Sequence, residues 1–152
     1  RVPYDQWVKD GYIGATEGNV VDYDVIHERI RELSEQYDIR EIAIDRWNST
    51  QLQTQLMGDG LDVVPFGQGF ASMTAPTKEL ERLLLDRKLR HAGNPVLRWM
   101  AANVAVEQDA AGNLKPSKAK SPERIDGIVA LIMAIGRAMV QPEETESTVM
   151  FV

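Results

Sequence analysis

The stretch Glu41-Ile42-Ala43-Ile44-Asp45, the turn-like Trp47-Asn48-Ser49, the helically spaced Leu52, Leu56 and Met57, the break Gly58-Asp59-Gly60 and the run Leu61-Asp62-Val63-Val64-Pro65-Phe66 together decide the fold class. A short apolar run that ends in an acid reads as a buried strand leading into a turn. Asn48 or Ser49 can cap the helix that follows, and the Gly-Asp-Gly break stops it before a second strand. Strand, helix and strand in so short a span call for a parallel pair joined by a right-handed crossover, and hence for an α/β sheet.

Working outward, Asp22 precedes Val25, Ile26, Ile30 and Leu33, which are interleaved with charges at the spacing of an amphipathic helix running to about Tyr37. Beyond Gly67-Gln68-Gly69 another helix is expected, with Thr74 as its cap, Pro76 in its first turn and Leu80, Leu83 and Leu84 on one face. Asn94-Pro95 opens a short helix through Trp99. Residues 103–107 read as a strand, and residues 109–113 have the composition of a hairpin turn. The last helix is expected to carry Ser121 as cap and Pro122 at its first position, with Ile125, Ile128, Val129, Ile132, Ile135 and Met139 on a buried face. Residues 1–140 then form one domain, and residues 141–152 a flexible tail.

Composition narrows the function classes. With 152 residues and 43% hydrophobic content the chain can build one ordinary core. No apolar stretch reaches the ~20 residues needed to span a bilayer, so a soluble, intracellular protein is expected. The opening Arg1-Val2-Pro3-Tyr4 has neither an initiator Met nor a signal-peptide pattern, which reads as a fragment of a longer chain. Absence of cysteine removes disulfides and thiolate zinc sites, so any metal must sit on oxygen or imidazole. A net charge of −6 argues against a surface that binds nucleic acid all over and leaves room for a local basic patch. No G-x-x-x-x-G-K-[ST] or G-x-S-x-G occurs, and His27 and His91 have no triad or metal-ligand spacing, so neither ATP hydrolysis nor covalent catalysis is expected of this chain.

Two acids stand beside apolar surface. Asp45 ends a strand, where functional groups gather in open α/β sheets, and Asp126 falls in the first turn of a buried helix, where the helix dipole favours negative charge. Carboxylates brought close together repel and call for a cation, and Mg²⁺ or Mn²⁺ suits oxygen ligands. Glu123, three residues before Asp126, would share its helical face as a third ligand or an outer group. Lys115, Lys118, Lys120 and Arg124 crowd the approach to Asp126 and can hold a phosphate backbone beside it. The same patterns also describe ordinary helix-end acids and a solvated basic loop. Arg87-Lys88-Leu89-Arg90-His91 reads as a basic helix end and no more.

Read together, Tyr4-Asp5-Gln6-Trp7-Val8, Gly14-Ala15-Thr16-Glu17-Gly18-Asn19-Val20-Val21-Asp22-Tyr23, Ala43-Ile44-Asp45-Arg46, Phe66-Gly67-Gln68-Gly69-Phe70 and Arg124-Ile125-Asp126-Gly127-Ile128 resemble the terminase large subunits of tailed phages and prophages. Lys78-Glu79-Leu80-Glu81-Arg82 and Gly93-Asn94-Pro95-Val96-Leu97-Arg98-Trp99-Met100 carry the resemblance across nearly the whole chain. It implies a ribonuclease H-like nuclease, a mixed sheet flanked by helices, whose N-terminal strands are missing here. In that family acids from the first strand, a later strand and the last helix bind divalent metal. Asp45 matches the second position and Asp126 the third, so the first acid is expected upstream of Arg1 and the chain alone is expected to be weak or inactive.

The implied reaction is two-metal hydrolysis of concatemeric viral double-stranded DNA, using Mg²⁺ or Mn²⁺ in the host cytoplasm. In it Asp45 shares both ions and Asp126 holds one, while Glu123 orients a water and Lys120 and Arg124 grip the scissile strand. The implied partners are DNA, an ATPase domain upstream in the full chain, a portal and a small terminase subunit. Two other readings stay open. One is a ribonuclease H-like resolvase or transposase, and the other a DNA-docking or motor-assembly module without hydrolysis of its own.

Overall fold

A computed structural model describes residues 2–46 and 50–140. The expected turn at Trp47-Asn48-Ser49, its caps Asn48 and Ser49, and the tail 141–152 lie outside the described residues.

Strand β1 (Ile42–Asp45) and strand β2 (Val63–Phe66) pair in parallel, with Ile42 opposite Val63 and Asp45 opposite Phe66. Helix α3 (Thr50–Gly58) lies between them in sequence and buries Leu52 and Leu56. Gly60, at φ +84, takes the left-handed conformation that lets the chain leave this helix and turn into β2. Upstream, helix α1 (Tyr4–Lys9) is held to the domain by Trp7, whose ring lies 5.5 Å from that of Trp99. Helix α2 (Tyr23–Gln36) begins as expected, with the Asp22 carboxylate accepting from the Asp24 amide. It packs on α3, where His27 Nε2 and Asp59 Oδ2 meet at 2.6 Å.

Helix α4 (Phe70–Leu85) starts four residues before its expected cap, with Gly69 as N-cap and no side-chain cap bond. Thr74 lies inside the helix instead. Its hydroxyl reaches the Phe70 carbonyl at 2.7 Å and bridges to Leu114, lying 3.0 Å from that residue's carbonyl and 3.1 Å from its amide. Pro76 therefore sits in the helix interior, where its ring is buried and supports the close approach of Gly136. Helix α5 (Pro95–Asn103) is capped by Asn94, whose side chain accepts from Val96 and Leu97, and it runs past Trp99 to Asn103, whose side chain donates to the Trp99 carbonyl. The hairpin strands follow as β3 (Val106–Gln108) and β4 (Leu114–Pro116), antiparallel, with Glu107 opposite Lys115. The two strand pairs form two separate two-stranded sheets, one parallel and one antiparallel.

Helix α6 (Asp126–Ala138) contributes most of the core: Ile128, Val129, Ile132 and Met133 pack with Met73 and Leu80 of α4 and with Ile125. It begins at Asp126, so Ser121 and Pro122 are not its first residues. The Ser121 hydroxyl instead accepts from the Ala105 amide and donates to the Ser117 carbonyl, which fixes a turn before the helix rather than the helix itself. At its far end Arg137 forms two hydrogen bonds with Glu41, just before β1, so α6 is tied across the parallel pair.

Candidate active site

Asp45 is the last residue of β1, half-buried and level with Phe66 of β2. Past the carboxyl ends of both strands come Arg46 and the loop Gly67-Gln68-Gly69. A Cβ on Gly67 would stand 3.0 Å from the Ser72 hydroxyl and 3.6 Å from Arg46 Nη2, so the loop folds closely against the first turn of α4. Gln68 emerges from that loop into a cleft of about 340 Å³, whose other walls are Met73, Glu107, Lys115, Pro116, Ser117, Lys118, Ala119 and Val129.

Asp126, the other acid, is the first residue of α6 and about half exposed. Lys118 Nζ lies 2.7 Å from its Oδ1. That hydrogen bond is the main reason the carboxyl is held below its ordinary range; burial acts the other way, and the charges of Lys118 and Arg124 add to the lowering. The carboxylate is thus ionised at neutral pH and already faces one cation.

The basic residues around it are largely engaged within the domain. Lys115 Nζ is 2.9 Å from Glu107 Oε1 and stands 5.1 Å above the Phe70 ring, and Lys120 lies 3.8 Å from the other oxygen of Glu107. Arg124 is exposed. Glu107, which the sequence reading passed over, is the acid that holds this group together. Hydrogen bonds from Lys115 and then Ser117 keep it below its ordinary range. The signal for it was present: a turn at 109–113 places residue 107 opposite residue 115.

Glu123 does not share a helical face with Asp126. It is exposed and precedes the first turn of α6, because Ser121 is engaged elsewhere and the helix starts late. Among the described residues, no three of the His, Asp and Glu side chains form a metal-binding group, so Asp45, Asp126 and Glu123 do not converge into a three-acid site.

Residues 1–142 match the family described as terminase large subunit, endonuclease domain. The chain belongs to that family. It is 41% identical over 140 residues to the large terminase subunit of Enterobacteria phage HK97, an alignment covering 91% of this chain and 28% of that protein. It is 36% identical over 144 residues to the protein YmfN of Escherichia coli (strain K12), covering 93% of this chain and 31% of that protein. The chain therefore spans less than a third of the length of these curated relatives.

The crystal structure of the HK97 large terminase superposes with a TM-score of 0.82 over 89% of this chain and 29% of that one, at 41% identity. The large terminase nuclease from thermophilic phage G20c superposes with a TM-score of 0.59 over 82% of this chain and 66% of that one. At 16% identity this second match speaks for the fold alone, the ribonuclease H-like arrangement expected from the resemblance. Across this terminase nuclease domain no helix among the described residues is long and apolar enough to cross a membrane.

Proposed function

We propose that this domain is the metal-dependent endonuclease of a DNA-packaging terminase, cutting concatemeric viral double-stranded DNA in the host cytoplasm as part of a longer chain that carries an ATPase domain. The observation that carries the proposal is Asp126: an ionised carboxylate at a helix N-terminus with a lysine ammonium 2.7 Å away. An ionised carboxylate offers the oxygen donors that Mg²⁺ or Mn²⁺ prefers. Asp126 and Asp45 are the residues that would hold such ions, with further donors supplied by the longer chain or by DNA. Bound in pairs, the ions supply an activated water and charge stabilisation for in-line phosphodiester hydrolysis. Arg124 and the Lys115, Lys118 and Lys120 group bind the phosphate backbone, exchanging their internal carboxylate partners for phosphate oxygens. A portal and a small terminase subunit are the proposed assembly partners.

The test is nicking of supercoiled plasmid by the full-length chain in Mn²⁺ or Mg²⁺. Asp45→Ala and Asp126→Ala are each expected to lower cutting by at least a hundredfold with the fold intact. Retained cutting in either variant removes that residue from the centre. A second reading, a DNA-docking module without hydrolysis of its own, is decided by the same protein. A full-length chain that binds DNA but neither binds Mn²⁺ nor cuts would establish that reading instead.

A further inference from the structure

The turn that carries Lys118 is fixed far more firmly than an exposed lysine needs. The Ser117 amide donates to the Ala105 carbonyl at 2.8 Å, and the Lys120 and Ser121 amides both return to the Ser117 carbonyl. The Ser121 hydroxyl links the Ser117 carbonyl to the Ala105 amide, and Ser117 itself is buried. From this rigid base Lys118 extends a flexible four-carbon stem to Asp126 at 2.7 Å, while its own side chain remains about half exposed and lines the cleft that Glu107 and Lys115 share. An ammonium and a divalent ion on one carboxylate repel each other with twice the charge product of two monovalent ions, so an ammonium 2.7 Å from Asp126 opposes a metal on the same group. Rotation about the lysine stem is enough to separate them, and Glu107 or a phosphate oxygen in the cleft can receive the displaced ammonium.

We propose that Lys118 is an internal counter-ion which a divalent metal must displace from Asp126, so that it acts as a positioning residue that sets metal affinity and releases its charge into the cleft when metal binds. The inference rests on the reading of Asp126 as a metal ligand. It predicts competition between two cations for one acid, with DNA phosphate as the acceptor of the one set free. Lys120, two residues away and paired with Glu107 instead, carries the same charge without the same contact.

The experiment is Mn²⁺ binding to the nucleotide-free full-length chain, followed by the electron paramagnetic resonance signal of free Mn²⁺. It compares wild type with Asp126→Asn, Lys118→Met, Lys118→Arg and Lys120→Met. Asp126→Asn should remove one binding component. Lys118→Met should tighten that component by roughly two- to fivefold, the range of an exposed ion pair, whereas Lys118→Arg stays near wild type and Lys120→Met changes it less. If Asp126→Asn removes the component but Lys118→Met leaves it unchanged or weaker, the displacement idea alone is overturned. Equal tightening by Lys118→Met and Lys120→Met also overturns it, since only the general field would then matter. If Asp126→Asn changes nothing, both this inference and the assignment of Asp126 fall.

Discussion

Arg137 and Glu41, 96 positions apart in sequence, form a two-pronged ion pair: Nε to Oε2 at 2.6 Å and Nη2 to Oε1 at 3.1 Å. Both side chains are mostly buried, and the pair ties the last turn of α6 to the residue that precedes β1. The guanidinium fork matches a carboxylate in a way an ammonium cannot. Arg137→Lys should therefore destabilise the domain by about 1–2 kcal/mol in urea unfolding. An unchanged midpoint would mean that the pair does not hold α6 across the sheet.

Two glycines of α6 should respond to alanine in opposite ways. At Gly136 a Cβ would lie 2.7 Å from Phe66 Cζ and 2.9 Å from Cε2, with Pro76 Cγ at 3.3 Å behind it. A packed aromatic ring cannot step aside cheaply, so overpacking of about 1–3 kcal/mol exceeds the helix-propensity gain of about 1 kcal/mol. At Gly127 the crowding atoms are Met100 Sδ at 2.9 Å and Leu97 Cδ1 at 3.2 Å, the far ends of flexible chains. Gly127→Ala should thus be close to neutral. Thermal unfolding of the two variants side by side checks the ordering, and a Gly136→Ala protein as stable as wild type sinks it.

The hairpin hangs on one hydroxyl. Thr74 Oγ1 reaches both backbone groups of Leu114, so α4 supports the strand that carries Lys115. Thr74→Val keeps the shape but removes the acceptor of the Leu114 amide and the one hydroxyl proton that the Phe70 and Leu114 carbonyls share, leaving the Leu114 amide in a half-buried place without its partner. The expected cost is about 1–2 kcal/mol. Amide exchange across residues 106–116 should quicken while the α6 core stays protected. Uniform acceleration over the whole domain would show that the hairpin and core do not open separately.

The same hydroxyl explains where sequence reading stopped. Thr74 and Ser121 both had the local pattern of a helix cap, and in both cases a tertiary partner claimed the oxygen: Leu114 for one, Ala105 and Ser117 for the other. The starts of α4 and α6 moved accordingly, by five residues towards the N-terminus and four towards the C-terminus. Where the signal was local and unopposed, as in the Asp22 cap, the Asn94 cap, the Gly60 turn and the apolar runs of β1 and β2, expectation and structure agree. Asp45 at a strand end and Asp126 in a first turn were legible for that reason. The late start of α6 removed the argument for Glu123. Lys115 opposite Glu107 could have been read from the hairpin turn, but the pairing of Lys118 with Asp126 and of Lys120 with Glu107 depends on a fixed turn at 117–121 that no run of residues announces.

Acid should loosen the hairpin before the core. Asp109 is held below its ordinary range first by the Asn113 side chain and then by the backbone amides of Asn113, Ala111 and Gly112, and Glu107 is lowered by Lys115 and Ser117. For a carboxyl lowered by folding, the stabilisation is complete above the unfolded value, roughly 4, and disappears as pH falls through the depressed folded value. These two acids therefore change nothing between pH 7 and about 5. Below about 4, as pH falls towards those depressed values, they progressively release the turn and the cross-strand pair. The Asp109 carboxylate accepts from the Ala111 and Asn113 amides at 2.9 Å, so those two amide resonances report its titration directly. Their midpoints should fall clearly below the ordinary aspartate value, and Asn113→Ala should move them upward by deleting the largest contribution. Midpoints at the ordinary value in the wild-type domain would mean that the turn is not held by this carboxylate, and the hairpin would then have no reason to respond to acid before the rest of the fold.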